Sequence, residues 1–192
     1  MFTLEQGREL IKLARKAVET KKVEKKINES FKIKKGVFVT IETFPEKELR
    51  GCIGFPYATI ALGDAVQRAA MSAAYEDMRF PPLEKEELNK IVFEVSILTK
   101  PELIEIKNPK EYFSKIEAGK DGLILQNGPF AGLFLPQVWK FFKSKEEFLK
   151  NLCFKAGLPQ NCIHDKETKI WKFRAQIFAE EEPSGKIKEI AC

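Results

Sequence analysis

The sequence predicts an α+β fold in which mainly antiparallel sheets pack with helices in two lobes. Helix-type and strand-type periodicities follow in the order helix, two strands, helix, strand, and the same order then returns. Each strand pair is joined by a short link, and strand pairs beside single helices favour antiparallel sheets over a parallel one. The chain has 192 residues, 44% of them hydrophobic and sixteen of them phenylalanine, enough for one large domain core or two small ones.

Thr3 and Gln6 have capping-box spacing, and Leu10, Ile11, Ala14, Ala17 and Val18 follow at helical intervals, so a first helix is expected over 4–26. Residues 37–42 alternate and are rich in β-branched side chains, and 49–55 follow as a second strand. The link 43–48, with Pro45, suits a hairpin connection. A second helix is expected over 59–76 with the small inner stripe Leu62, Ala65, Val66, Ala69, Ala70 and Ala73, which permits close approach to a sheet. Pro81 and Pro82 stop it. A short helix over 83–89 precedes a strand over 91–98, in which Glu94 sits among apolar residues.

In the second half, Asn108 as N-cap and Pro109 at N1 start a helix. Strands over 122–126 and 130–135 flank Asn127-Gly128, a hairpin signal. Ser144 and Glu147 suggest a second capping box, and Gly157 stands where a helix-ending glycine belongs. A last strand alternates over 170–180. The expected organisation is a larger discontinuous domain, 1–106 with 169–192, and a smaller inserted one, 107–168, with a ligand cleft between the lobes.

Charge and composition narrow the function classes. The net charge is +5, from 33 Lys+Arg against 28 Asp+Glu, and lysine is interleaved with glutamate, as in Lys21-Lys22-Val23-Glu24-Lys25-Lys26. Such runs are solvated helix faces and argue against a dedicated nucleic-acid binder. Heavy joint use of Lys and Glu resembles thermophile surfaces. No apolar run approaches the roughly 18 residues of a membrane span, and the N-terminus has no charged region leading into an apolar stretch, so neither a membrane anchor nor a secretory signal is expected. Cys52, Cys153, Cys162 and Cys192 stand far apart with no C-x-x-C pair, so reduced thiols in the cytoplasm are expected.

The most informative run is Leu49-Arg50-Gly51-Cys52-Ile53-Gly54. In an extended chain Arg50, Cys52 and Gly54 share one face and Leu49, Gly51 and Ile53 the other, while the glycines leave bare backbone for a close neighbour. A thiol beside a guanidinium can act as a nucleophile, or it can be a small packed hydrophobe. Arg50, Asp77, Arg79 and Glu94 form a second constellation. It reads either as a salt-bridge network fixing the sheet to the 77–82 turn or as an anion cradle, and the expectation is that Arg50, Arg79 and Glu94 converge. His164, the only histidine, stands in a polar stretch with Cys162, and two ligands do not make a metal site. No Walker A, dinucleotide fingerprint or zinc-protease motif is present, so no cofactor and no metal are expected.

Together with Arg79-Phe80-Pro81-Pro82, Glu94-Val95-Ser96-Ile97-Leu98, Lys120-Asp121-Gly122-Leu123, Phe134-Leu135-Pro136-Gln137-Val138 and Leu152-Cys153-Phe154-Lys155-Ala156-Gly157-Leu158, the early hexapeptide resembles the AMMECR domain family over nearly the whole chain. That resemblance implies a cytosolic, two-lobed α+β protein without an established activity. It also implies a place beside Memo-type and radical S-adenosylmethionine proteins in a multi-protein modification system. The expected function is a binding component that recognises a small molecule or peptide near Arg50 and Cys52, with Gly51, Gly54, Asp77, Arg79 and Glu94 around the ligand. The alternatives are an enzyme using Cys52 as nucleophile and a nucleic-acid-associated module.

Overall fold

The computed structural model describes residues 1–190, which fall into two compact units, one formed by Met1–Lys100 with 176–190 and one by Pro101–Ala175. The fold is α+β, with two sheets, each packed with helices.

In the first unit, helix α1 (Leu4–Thr20) is started by Thr3, whose side chain accepts the Gln6 N–H while Gln6 returns a bond to the Thr3 N–H. The helix ends earlier than the expected residue 26, because Lys21 turns into the left-handed region (φ 54°). Two forces end it there. Lys21, Lys22, Lys25 and Lys26 repel one another at helical spacing. The Glu24 peptide is captured by the fully buried Gln67: its N–H donates to Oε1 at 2.6 Å and its carbonyl accepts from Nε2 at 3.2 Å.

Strands β1 (Val37–Thr43), β2 (Leu49–Phe55) and β3 (Ile91–Leu98) fall where alternation places them. Helix α2 (Leu62–Tyr75) is shorter than expected at its start, where the Leu62 N–H donates instead to the Ile33 carbonyl. Its alanine stripe is buried and packs against β1 and β2. The expected helix over 83–89 is a 3-10 turn, Lys85–Lys90.

The second unit holds β4 (Glu102–Leu103), α3 (Glu111–Lys115), β5 (Gly122–Asn127), β6 (Phe130–Phe134), α4 (Lys145–Lys155) and β7 (Lys169–Phe173). Its sheet order is β4-β7-β5-β6. The core includes Leu123, Leu125, Phe148, Leu152 and Ile170, with Trp139 stacked on Phe148 at 3.7 Å between centroids. At α4 the Ser144 side chain accepts the Glu147 N–H, but Glu147 accepts from Lys143 rather than Ser144, so only half of the expected capping box forms. The other end is a Schellman turn: Gly157 (φ 77°) donates to the Phe154 carbonyl and Leu158 to that of Cys153.

The single strand expected over 170–180 is two strands. After Arg174, which binds Glu117 at 2.6 Å, the chain enters β8 (Ala175–Glu180) of the first unit's sheet, completed by β9 (Ile187–Ile190). That sheet has the order β2-β1-β3-β8-β9, so β2 is an edge strand. A second correction concerns the cysteines: Cys153 and Cys162 are joined by a disulfide with Cα atoms 5.9 Å apart. They stand nine positions apart, and the Schellman turn reverses the chain between them, which their spacing in the sequence does not reveal. The bridge also removes Cys162 as a metal partner for His164. Cys192 lies outside the described residues.

Candidate functional site

The hexapeptide lies on β2, and its glycines are there for contact. Gly51 faces α2, where an added Cβ would collide with the Ala73 carbonyl oxygen. At Gly54 a Cβ would strike the Val37 carbonyl and the Phe38 ring. Pairing with β1 matches Cys52 to Thr40 and Gly51 to Ile41, but then Leu49 to Glu42. Arg50 is therefore the extra residue of a β-bulge. The bulge corrects the simple alternation: Leu49 comes onto the face of Cys52, and Arg50 is released from the ladder.

The main chain of Cys52 points outward from the sheet edge. Its N–H donates to Asp77 Oδ2 at 2.9 Å, and its carbonyl accepts from Arg79 Nη2 at 3.2 Å. Arg79 in turn grips Asp77 through Nε and Nη2 at 2.8 and 2.6 Å. The Asp77–Arg79 pair thus stands in for a neighbouring strand and closes the edge at this point. Because these backbone groups turn away from β1, Thr40 and Cys52 form a non-hydrogen-bonded pair, the kind that brings side chains closest. Thr40 Oγ1 accordingly lies 3.4 Å from Cys52 Sγ. On the far side of β1, Thr40 is matched to Glu94, so Cys52, Thr40 and Glu94 form a row across three strands.

Arg50 and Arg79 are brought together around one ring, with guanidinium carbons 6.0 and 5.4 Å from the Phe80 centroid. Arg50 is buried and donates from Nε and Nη2 to Glu87 at 2.8 and 3.0 Å. The expected convergence on Glu94 does not form as an ion pair: Arg50 takes Glu87, Arg79 takes Asp77, and Glu94 accepts from Ser96 at 3.4 Å. The physical reason is the bulge, which sends Arg50 to the 3-10 turn instead of along the Cys52 face. The side-chain bonds from Arg50 lower the Glu87 carboxyl below its usual range, and Asp77 raises Arg79. Both guanidiniums are thus already neutralised by carboxylates. Among the described residues no cluster of three His, Cys, Asp or Glu is placed to hold a metal.

The AMMECR1 family model matches residues 11–178. The chain belongs to the AMMECR1 family. The AMMECR1 relatives include protein MJ0810 of Methanocaldococcus jannaschii, 48% identical over 98% of this chain and 97% of its own length. Protein MK0488 of Methanopyrus kandleri is 45% identical, with 98% and 95% covered. The crystal structure of protein PH0010 from Pyrococcus horikoshii superposes with a TM-score of 0.92 at 45% identity, covering 98% of each chain.

Two residues of the candidate site in this AMMECR1 chain escape sequence reasoning. Thr40 reads only as a strand residue, and Glu87 as one of several carboxylates before β3. A fragment of the signal was present for Glu87: a buried arginine on a strand requires a carboxylate.

The Asp77 carboxyl is held down at about 2, first by the Arg79 side-chain bonds and then by the N–H groups of Cys52 and Arg79. A lowered carboxyl pKa adds stability above the unfolded pKa and loses it as pH falls through the folded value. Asp77→Asn is therefore expected to cost about 1–2 kcal/mol near neutral pH, discounted because Arg79 is half exposed. In denaturant melts at several pH values, the gap between wild type and variant should close between pH 4 and about 2. A gap independent of pH would show that charge plays no part.

Proposed function

We propose that this chain is a binding protein whose working surface is the Cys52 row of the first unit, and that it receives a small molecule or peptide there. One observation carries the reading. The Cys52 peptide is clamped at both its N–H and its carbonyl by one ion pair, and its thiol meets the Thr40 hydroxyl. A thiol merely filling space needs no such anchoring, whereas a reacting or recognising group is served by fixed geometry. Because Arg50 and Arg79 are already paired, the surface suits a neutral or peptide-like ligand better than a strongly anionic one. The remaining positions of the surface are Gly51 and Gly54, which let α2 and Phe38 close around β2, and Glu94 at the end of the row.

The second reading, an enzyme with Cys52 as nucleophile, is favoured by the half-exposed Arg79 guanidinium held beside Cys52 through its 3.2 Å bond to the Cys52 carbonyl. The mixed lysine and glutamate surface supports neither a duplex DNA nor an RNA partner. The proposed setting is the cytoplasm, beside Memo-type and radical S-adenosylmethionine proteins. No described helix is long and apolar enough to cross a membrane. A buried disulfide is compatible with that setting, since intracellular proteins of hyperthermophilic archaea carry them.

The test is peptide-resolved alkylation of native protein with iodoacetamide, together with native mass spectrometry of co-purified small molecules. Cys52 should be modified while Cys153 and Cys162 are not, and retained mass should fall away in Cys52→Ser and in Arg79→Lys, which cannot reproduce the planar fork. An inert Cys52 with retention unchanged in both variants would remove the proposal. Turnover of an acyl or thioester probe lost only in Cys52→Ser would select the enzyme reading.

A further inference from the structure

The first unit carries a groove away from the hexapeptide. It lies between α1 and the segment 24–31, with a volume of about 350 Å³. That is within the size range of small-molecule pockets. Its floor is apolar, formed by Leu13, Ile27 and Phe31.

The wall is fixed before any ligand arrives. Gln67 holds the Glu24 peptide at both ends and also donates to the Gly63 carbonyl at 3.1 Å. Asn28 caps the short turn Glu29–Phe31 by accepting the Ser30 N–H at 3.0 Å. The buried Phe31 side chain then pins that turn into the core.

The charges around the groove are unevenly satisfied. Lys16 pairs with Glu24 at 3.0 Å, whereas Glu9 is held by the neutral Asn28 amide at 3.0 Å, so the groove keeps three ammonium groups against two carboxylates, a surplus of one positive charge. Lys12 and Lys26 also line the groove, are exposed, and make no ion pair among the described residues. An apolar floor beneath two unengaged ammonium groups is complementary to one kind of occupant: an alkyl chain ending in a single negative charge.

The geometry points to a binding site for a medium-chain fatty carboxylate, with the chain on Leu13, Ile27 and Phe31 and the carboxylate between Lys12 and Lys26. The site is separate from the Cys52 surface and does not rest on its function. Long lysine stems can lie along the apolar floor while their heads reach the carboxylate. An occupant of about ten non-hydrogen atoms in an open groove should bind with a dissociation constant of about 1 mM, from ordinary ligand efficiency.

The probe is octanoate, titrated into isotopically labelled full chain and followed by amide NMR shifts. Saturable shifts are expected on α1 and segment 24–31. Octanamide, which keeps the chain and loses the charge, should bind about tenfold more weakly, as should octanoate to Lys12→Glu/Lys26→Glu. The milder pair Lys12→Gln/Lys26→Gln, with an unchanged melting curve, guards against loss of fold. Absence of saturable shifts, shifts located elsewhere, equal binding of octanamide, or undiminished binding to the glutamine variant would each overturn the site.

Discussion

Glu180→Gln should destabilise the protein by about 3–5 kcal/mol, the range for breaking one side of a buried ion pair. Arg15 and Glu180 are both buried, and they meet through two bonds of 2.8 and 2.6 Å. The carboxylate also accepts the Phe93 N–H at 2.9 Å. Arg15 donates further to the Leu88 and Ile91 carbonyls and lies 4.8 Å from the Phe93 centroid. The pair thus ties α1, β3 and β8 together across the chain's two ends. Replacing the carboxylate by an amide leaves the buried guanidinium with only the half-exposed Glu19 carboxylate, 3.9 Å from Nη1, as counter-charge, and sets N–H donors against each other. The melting temperature should fall by about 10 °C, using the usual conversion for a chain of this length. Arg15→Leu/Glu180→Leu should recover much of the loss, because removing both charges strands neither. A melt of Glu180→Gln within a degree or two of wild type would show that the pair does not stabilise the fold.

Breaking the Cys153–Cys162 bridge is the second large effect. Cys153 is fully buried and Cys162 nearly so, within the core cluster of the second unit. Closing a loop of this length lowers the entropy of the unfolded chain, and Cys153→Ala/Cys162→Ala should cost about 2–3 kcal/mol on the loop-entropy relation. Burial should also protect the bridge: reductant acting on native protein is expected to open it slowly, and much faster in denaturant. Thiol titration after denaturation should find two fewer thiols in the untreated chain than in the same chain reduced first. Equal thiol counts would show that the cysteines are not joined, and the variant should then cost only what the lost packing costs.

The sequence was most legible where local periodicity and burial agree. The strands expected over 49–55 and 91–98 have the same bounds as β2 and β3, and Thr3 with Gln6 makes the expected capping box. The alanine stripe of α2 meets the bare backbone of Gly51, as its small side chains and the missing Cβ anticipate. Legibility failed where a distant group competed with a local preference. Helix α1 stops at Thr20 because Gln67, more than forty residues further on, captures the Glu24 peptide. The last strand divides at Arg174, so that β7 and β8 serve different sheets, although the alternation runs through it unbroken.

At the candidate site the same division holds. By itself, the sequence determined the α+β class, the family, and the presence of a thiol on a glycine-flanked strand with arginines and carboxylates near it in the motifs. All of that follows from side-chain identity at short spacing. Which carboxylate each arginine takes was decided only by the tertiary structure. One inserted residue at the bulge turned Arg50 from Glu94 toward Glu87, and the edge position of β2 left the Cys52 peptide to be satisfied by Asp77 and Arg79. A one-residue change of register reverses every side chain beyond it, and an edge strand's backbone must bond to whatever the fold brings alongside. Neither is encoded in any window of the chain short enough to read directly.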